Sequence, residues 1–533
     1  MGTQLLVGGR IYSSSSPDAT AMAVTDGTVV WVGADQPGRA LHPGAEVLDL
    51  EGAFVAPGFV DAHVHTTATG LALIGLDLTG SRTLDECLER VRAFAAAHSE
   101  GLIWGHGWDE TAWPVAIKPQ IADIDSAAPG RLVYLSRIDV HSAVCSTALL
   151  DATPAVTSAV GFDRSGPQRS DAHHLVRTTA LNLLTAPQRE LARRSALDTA
   201  AAQGIVAVHE CGGPYIGGRA DLRELLTTDH GVEIRAYWGE AVESADQARA
   251  LLDETGAHGL AGDLFVDGAL GSRTAWLQEP YLDDPAAGCG KSYLDVDQIT
   301  AHVRACTQAR IQAGFHVIGD GAVSAAITAI ERVVAEVGVP AVAACGHRLE
   351  HVEMITAEDA AKLGTWGIIA SVQPGFDALW GGSDGMYATR LGRERARAMN
   401  PFAAMSSSGV SLAIGSDAPV TAIAPWAAIR SAINHRSAGN GISPRAAFAA
   451  ATRGAWRAGG VRDGLAGTLD PGAPASYAIW AADELVVAAG SDAVARWSTD
   501  PRSRVPALPR LDADSTDPDC LRTVHRGVTL YER

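Results

Sequence analysis

Eight short apolar runs recur along the middle of the chain, separated by stretches that carry helix signals, and no other feature restricts the fold as much. The runs are 59–65 (FVDAHVH), 205–210 (IVAVHE), 233–239 (EIRAYWG), 264–267 (LFVD), 314–318 (GFHVI), 348–352 (RLEHV), 368–373 (IIASVQ) and 412–416 (LAIGS). Short and nearly continuous in apolar character, they read as strands covered on both faces. Thr185 and Gln188 form a capping box ahead of a helix that Gly204 ends, and Thr356 opens another helix that stops near Gly364. Strands alternating with helices across 57–455 predict an α/β fold, a (β/α)8 TIM-like barrel.

The two ends of the chain have a different texture. Residues 4–12, 21–33 and 46–56, and again 475–482 and 523–532, read as strands joined by hairpins at Asp-Gly and Gly-Gly pairs. They predict one small composite β-domain built from 1–56 and 456–533, with the barrel between them. The excess over a minimal barrel falls at about 100–185, an insertion between the first and second strands. Residues 483–522, rich in Asp, Ser and Pro, read as a surface excursion.

Composition narrows the setting. No apolar run approaches the roughly 18 residues of a membrane span, and MGTQLLVGGRIY lacks the layout of a secretion signal. Seven cysteines without a C-x-x-C pair imply free thiols and a cytoplasmic protein. With 42 basic against 61 acidic residues, a net charge of −19 and no basic cluster, nucleic acid is a poor partner. The expected partner is a small molecule, and assembly into a homo-oligomer stays open.

The first apolar run ends in His63 and His65, two residues apart and so on the same side of a strand. Alone, such a pair is more often two satisfied histidines than a metal site. Yet the fifth run carries His316, the sixth His351, and the eighth ends at Asp417. In a barrel these positions meet at the C-terminal mouth, and four imidazoles with a carboxylate suit zinc or another divalent cation.

The segments VAPGFVDAHVH, GHGWDE, VYLSRIDVHSAV, VDGALGSRTA, HVIGDGAV, RLEHVEMI, SVQP, IGSDAPV and GAPASYAIW follow one another along nearly the whole chain. In content and order they resemble the amidohydrolase superfamily, and within it the branch called amidohydrolase family 3. The resemblance implies a barrel with a flanking β-domain and metal held by His63, His65, His316, His351 and Asp417. It also implies hydrolysis of a carbon–nitrogen bond other than a peptide bond.

One position departs from that branch, whose members carry a lysine, carboxylated and bridging two metals, at the start of the fourth strand. Here DLFVDG puts Asp263 there, and the three lysines, Lys118, Lys291 and Lys362, lie elsewhere. Asp263 has the right charge but a shorter reach, and would bridge only if the strand shifted inward. Glu210 and Glu240, ending strands two and three, are acidic alternatives. The expectation is one ion, held by His63, His65, His316 and Asp417, with His351 acting on the substrate and Asp417 shuttling the proton. Trp108, His106, His141, Arg273 and Gln373 are substrate-pocket candidates, although Trp108 could be packing and Arg273 a local ion pair. Asp267 and Asp320 could cap the helices that follow them. The predicted substrate is a linear N-acyl or N-formyl amide with an apolar amine side. The alternatives are a one-metal deaminase or cyclic-amide hydrolase, and a catalytically silent binding or regulatory barrel.

Overall fold

Apolar runs buried on both faces pair in parallel, and in the computed structural model of the chain, which describes residues 2–482, 484–487 and 506–533, eight strands pair in sequence order. They are β1 (Phe59–Val64), β2 (Ile205–Gly212), β3 (Glu233–Trp238), β4 (Gly259–Leu260), β5 (Gln312–Val317), β6 (Arg348–His351), β7 (Ile369–Val372) and β8 (Ser411–Ile414). The barrel closes at its mouth, where Asp417 N–H donates to His63 O (2.8 Å) and His65 N–H to Ala418 O (3.0 Å). Gly415 makes this closure fit, since a Cβ there would stand 2.5 Å from His63 N. Gly415→Ala is therefore expected to cost about 1–3 kcal/mol of stability through overpacking, measurable by chemical denaturation; a change within 0.5 kcal/mol would show that the junction can relax.

The fourth strand differs from the sequence expectation. Only Gly259–Leu260 pairs on both sides, and the run 264–267 meets the sheet through Phe265 opposite His316. The break has a local cause: Gly262 adopts φ +72°, which an L side chain resists. A Cβ on Gly239 would come within 2.5 Å of Asp263 O, so the chain after β3 lets the displaced segment approach. Asp263 is thereby carried into the barrel.

Thr185 and Gln188 cap the helix Ala186–Ala202 reciprocally. The helix after β6, Ala357–Trp366, begins at Thr356 but runs through Gly364 to Gly367, which takes φ +69°. Gly364 is needed for packing instead, because a Cβ there would lie 2.0 Å from Ser408 O.

Phe54–Pro57, which leads directly into β1, pairs antiparallel with Tyr477–Ala481, and that strand pairs with Asp519–His525. The two chain ends thus share one five-stranded sheet, packed with a four-stranded sheet of N-terminal segments around Leu6, Met22, Val29, Val55, Tyr477 and Val524. The added unit after β1 starts earlier than about 100. Its five-stranded sheet runs from Leu76–Asp77 through Ile103–Trp108, Val133–Arg137 and Ser142–Cys145 to Gln168–Arg169. Helix α1 (Ser170–Asn182) follows. Of the predicted excursion at 483–522, residues 483 and 488–505 lie outside the described residues; Leu485–Val486 pairs with Leu508–Pro509. Among the described residues no helix is long and apolar enough to cross a membrane, and all seven cysteines are unpaired.

Candidate metal centre

His63 on β1 and His65, just past its end, enter the mouth of the barrel, and β5 and β6 deliver His316 and His351. Asp417 and His351 hold left-handed backbone, φ +53° and +69°, conformations that non-glycine residues keep only where surrounding structure enforces them. Asp263 lies among all four histidines. Its Oδ1 is 3.4 Å from His63 Nε2, 3.5 Å from His316 Nδ1 and 3.9 Å from His351 Nε2, and its Oδ2 is 3.2 Å from His65 Nε2. Asp417 Oδ1 stands 3.4 Å from His63 Nε2 and 3.2 Å from His65 Nε2.

These distances leave a shared need. His63 Nε2, His316 Nδ1, His351 Nε2, Asp263 Oδ1 and Asp417 Oδ1 are all buried and have no hydrogen-bond partner. Buried polar atoms without partners are costly, and five of them gathered in overlapping triads are what divalent metal would satisfy. Three triads overlap there, His63–His65–Asp263, Asp263–His316–His351 and His63–His351–Asp417, with Asp263 common to the first two. The residues fit the metal.

The far nitrogens are also fixed. His63 Nδ1 donates to Glu350 Oε2 (2.9 Å), His316 Nε2 to Gly268 O (3.3 Å) and His351 Nδ1 to Gln373 Oε1 (2.7 Å). Each bond sets the tautomer that leaves the inward nitrogen free as a ligand. Glu350 is itself gripped by Arg348, at 2.5 Å from Nε and 2.8 Å from Nη2. Although burial alone would raise its carboxyl, Arg348 and His63 hold it well below the usual carboxylate range. A fourth cluster, His63–Cys211–Glu350, is a poor metal pocket, because Glu350 is already engaged and burial pushes the Cys211 thiol up to about 12.

The remaining candidates separate. Gln373 orients His351. His141 packs its ring 5.2 Å from that of His316, with burial holding it well below its ordinary pKa. His106 lines a narrow cavity beside His65, with Nδ1 on Ser136 Oγ (2.9 Å) and Nε2 on Pro419 O (2.8 Å); burial pushes it down to about 4, a neutral ring. Glu210 also faces that cavity and accepts from Thr66 N–H (2.7 Å).

Others lie away from the centre. Trp108 is fully buried in the core of the added unit, donating to Leu135 O (2.9 Å). By alternation it would share a face with Trp104 and His106, but the register slips at Gly107 (φ +103°) and the bulge turns it the other way. Arg273 pairs with Asp283 through two bonds of 3.2 and 2.8 Å. Asp267 accepts from Trp276, Ile318 and Gly319 N–H, and Asp320 from Gln278 N–H. Glu240 pairs with Arg219 at 3.2 Å. The sequence reading did not single out Glu350, Arg348, Trp104, Tyr134 or Arg177. The first two were visible only as the polar letters of RLEH, and Tyr134 only as a letter of VYLSRIDVHSAV.

The sequence pattern described as "Amidohydrolase family" matches residues 46–531. Protein LONG AFTER FAR-RED 3 of Arabidopsis thaliana is 28% identical over 80% of this chain and 77% of its own length. N-substituted formamide deformylase of Arthrobacter pascens is 23% identical over 79% and 82%. Among solved structures, an uncharacterized metal-dependent hydrolase from Pyrococcus furiosus is 27% identical with a TM-score of 0.68, covering 90% of this chain and 98% of that one.

Proposed function

The chain belongs to the amidohydrolase family and is a metal-dependent hydrolase of carbon–nitrogen bonds, and we propose that it cleaves a linear N-acyl or N-formyl amide with two divalent cations, which His63, His65, His316, His351 and Asp263 would hold. The observation that carries this reading is that five buried, unpartnered nitrogen and oxygen atoms lie in overlapping triads, two of which share Asp263. One ion was the expectation while Asp263 counted as too short to bridge. With the break after β4, its two oxygens lie within 3.9 Å of all four histidines, so that Asp263 would supply the anionic charge a second cation requires. Zinc suits this nitrogen and oxygen donor set.

A divalent cation supplies, when bound, an acidified water and polarisation of the scissile carbonyl. Asp417, buried beside His63 and His65, takes the proton from the attacking water and delivers it to the leaving nitrogen. His63, His65, His316 and His351 hold the metal. Glu350, Gly268 O and Gln373 keep three of these rings in the binding tautomer. The likeness to a formamide deformylase supports a linear amide as substrate.

The test is amine release from a panel of N-formyl and N-acyl amides by protein whose metal content has been measured. Ammonia release would move the reading to a deaminase, and metal retention without turnover across the panel would overturn it in favour of a binding protein. Asp263→Asn is expected to lower the metal retained after dialysis from about two equivalents to one or fewer, read by elemental analysis. Two tight equivalents in that variant would remove Asp263 from the ligand set.

A further inference from the structure

A groove of about 550 Å³ opens at the base of the barrel. Gly346, Gly367 and Ser411 place it at the N-terminal ends of β6, β7 and β8. His351 and Asp417 lie at the other end of the same strands, so the groove is no part of the metal centre. Its wall is the last helical stretch of the barrel, Pro444–Ala449, then a π-helical turn, Ala450–Gly454, then Ala455–Ala458. Gly454 lets this wall lie close to β8, since a Cβ there would stand 2.4 Å from Leu412 O. Single π-turns inside helices are uncommon and frequently accompany functional sites.

Three arginines line the groove: Arg453 in the π-turn, Arg457 one turn later and Arg462 in the loop beyond. All three are exposed, and among the described residues none has an ion-pair partner. Arg462 is held in place, because its Nη1 donates to Ala344 O (2.5 Å) and Gly346 makes room for Nη2, which a Cβ there would approach to 3.0 Å. The acids nearby are engaged. Asp463, the one carboxylate on the groove, accepts through Oδ1 from Leu465 N–H and Ala466 N–H (both 2.9 Å). Asp470, which feels the charge of Arg453, accepts from the hydroxyls of Ser13 (2.8 Å) and Ser15 (2.7 Å).

In a chain of net charge −19, three cations around one groove make a locally positive site that draws an anion. Guanidinium forks match phosphate oxygens, and three of them without a free acid favour an anion of more than one charge. Ile369, Val410, Leu412 and Val461 give the groove an apolar side, and its volume falls in the range of small-molecule pockets, roughly 300–1,000 Å³. We infer that the basal groove binds a phosphorylated small molecule of nucleotide size, its phosphates on Arg453, Arg457 and Arg462 and its organic part on the apolar side. The site is separate from that of the reaction, and the assignment does not rest on the amide reading.

The test is calorimetric titration of the metal-loaded full chain with ADP, pyrophosphate and adenosine at about 0.15 M salt, where weak surface attraction is screened. ADP is expected to saturate one site per chain and to bind at least tenfold more tightly than pyrophosphate or adenosine. Combining Arg453→Gln, Arg457→Gln and Arg462→Gln should weaken ADP at least tenfold at unchanged metal content and unchanged denaturation midpoint. Because Arg462 also bonds to Ala344 O, the double variant Arg453→Gln with Arg457→Gln serves if the triple one does not fold, with a loss of at least threefold. Arg457→Lys, which keeps the charge but not the fork, should be intermediate between wild type and Arg457→Gln. Absence of saturable ADP binding, or pyrophosphate binding as tightly as ADP, would overturn the assignment. Undiminished ADP binding in the variants would place the phosphates on the metal and overturn it as well.

Discussion

Asp417→Asn is expected to lower kcat by about 10²–10⁴, the range a positioned proton-transfer group supplies, with the fold retained. The carboxylate is the one acid that touches both histidines of β1, at 3.4 and 3.2 Å, without lying between the two histidine pairs as Asp263 does. Its burial and its left-handed backbone fix where its oxygen sits. An amide in its place keeps the shape but cannot take up a proton at neutral pH. The measurement is kcat alongside metal content on the same preparation. Loss of rate with metal retained supports proton transfer; loss of both assigns Asp417 to holding metal only; and unchanged kcat would mean that another group moves the proton.

The second large effect is on stability. Arg348 and Glu350 are both fully buried, so Arg348→Met leaves a carboxylate in the interior with its main counter-charge gone. Removing one partner of a buried pair costs about 3–5 kcal/mol, and here Arg348 also donates to Ala62 O (2.6 Å) at the root of the histidine strand. Chemical denaturation with chelator present reads the loss without a contribution from bound metal. Adding Glu350→Leu should restore part of it, since an apolar pair removes the stranded charge. Glu350→Gln alone should weaken metal retention by about 10–100-fold, because His63 loses the partner that fixes its ring. A loss under 1 kcal/mol in Arg348→Met would indicate that water reaches Glu350.

The barrel was legible because its strands are apolar runs, and chemistry-bearing residues at the ends of such runs have few other uses. His63, His65, His316, His351 and Asp417 were singled out in this way, and the structure brings them together. Asp263 was found by position, but its reach was not, since that depends on how far Gly262 and Gly239 let the chain move. The added unit was the hardest part to read. Trp108 lies in a landmark segment and a strand whose alternation points it at the cavity, yet one bulge at Gly107 inverts it.

The junction between β1 and β8 also bears on the order in which the molecule is made. Asp61 Oδ1 accepts from His63 N–H (3.2 Å) and from Ser416 N–H (2.9 Å), groups separated in the second case by 355 residues. The first histidines leave the ribosome early, but the strand that closes the ring beside them and brings Asp417 is synthesised only after most of the chain. A nascent chain short of Asp417 therefore presents an incomplete set of donors, and loop closure over such a span is slow. On the proposed reading, the full donor set therefore exists only in a finished barrel.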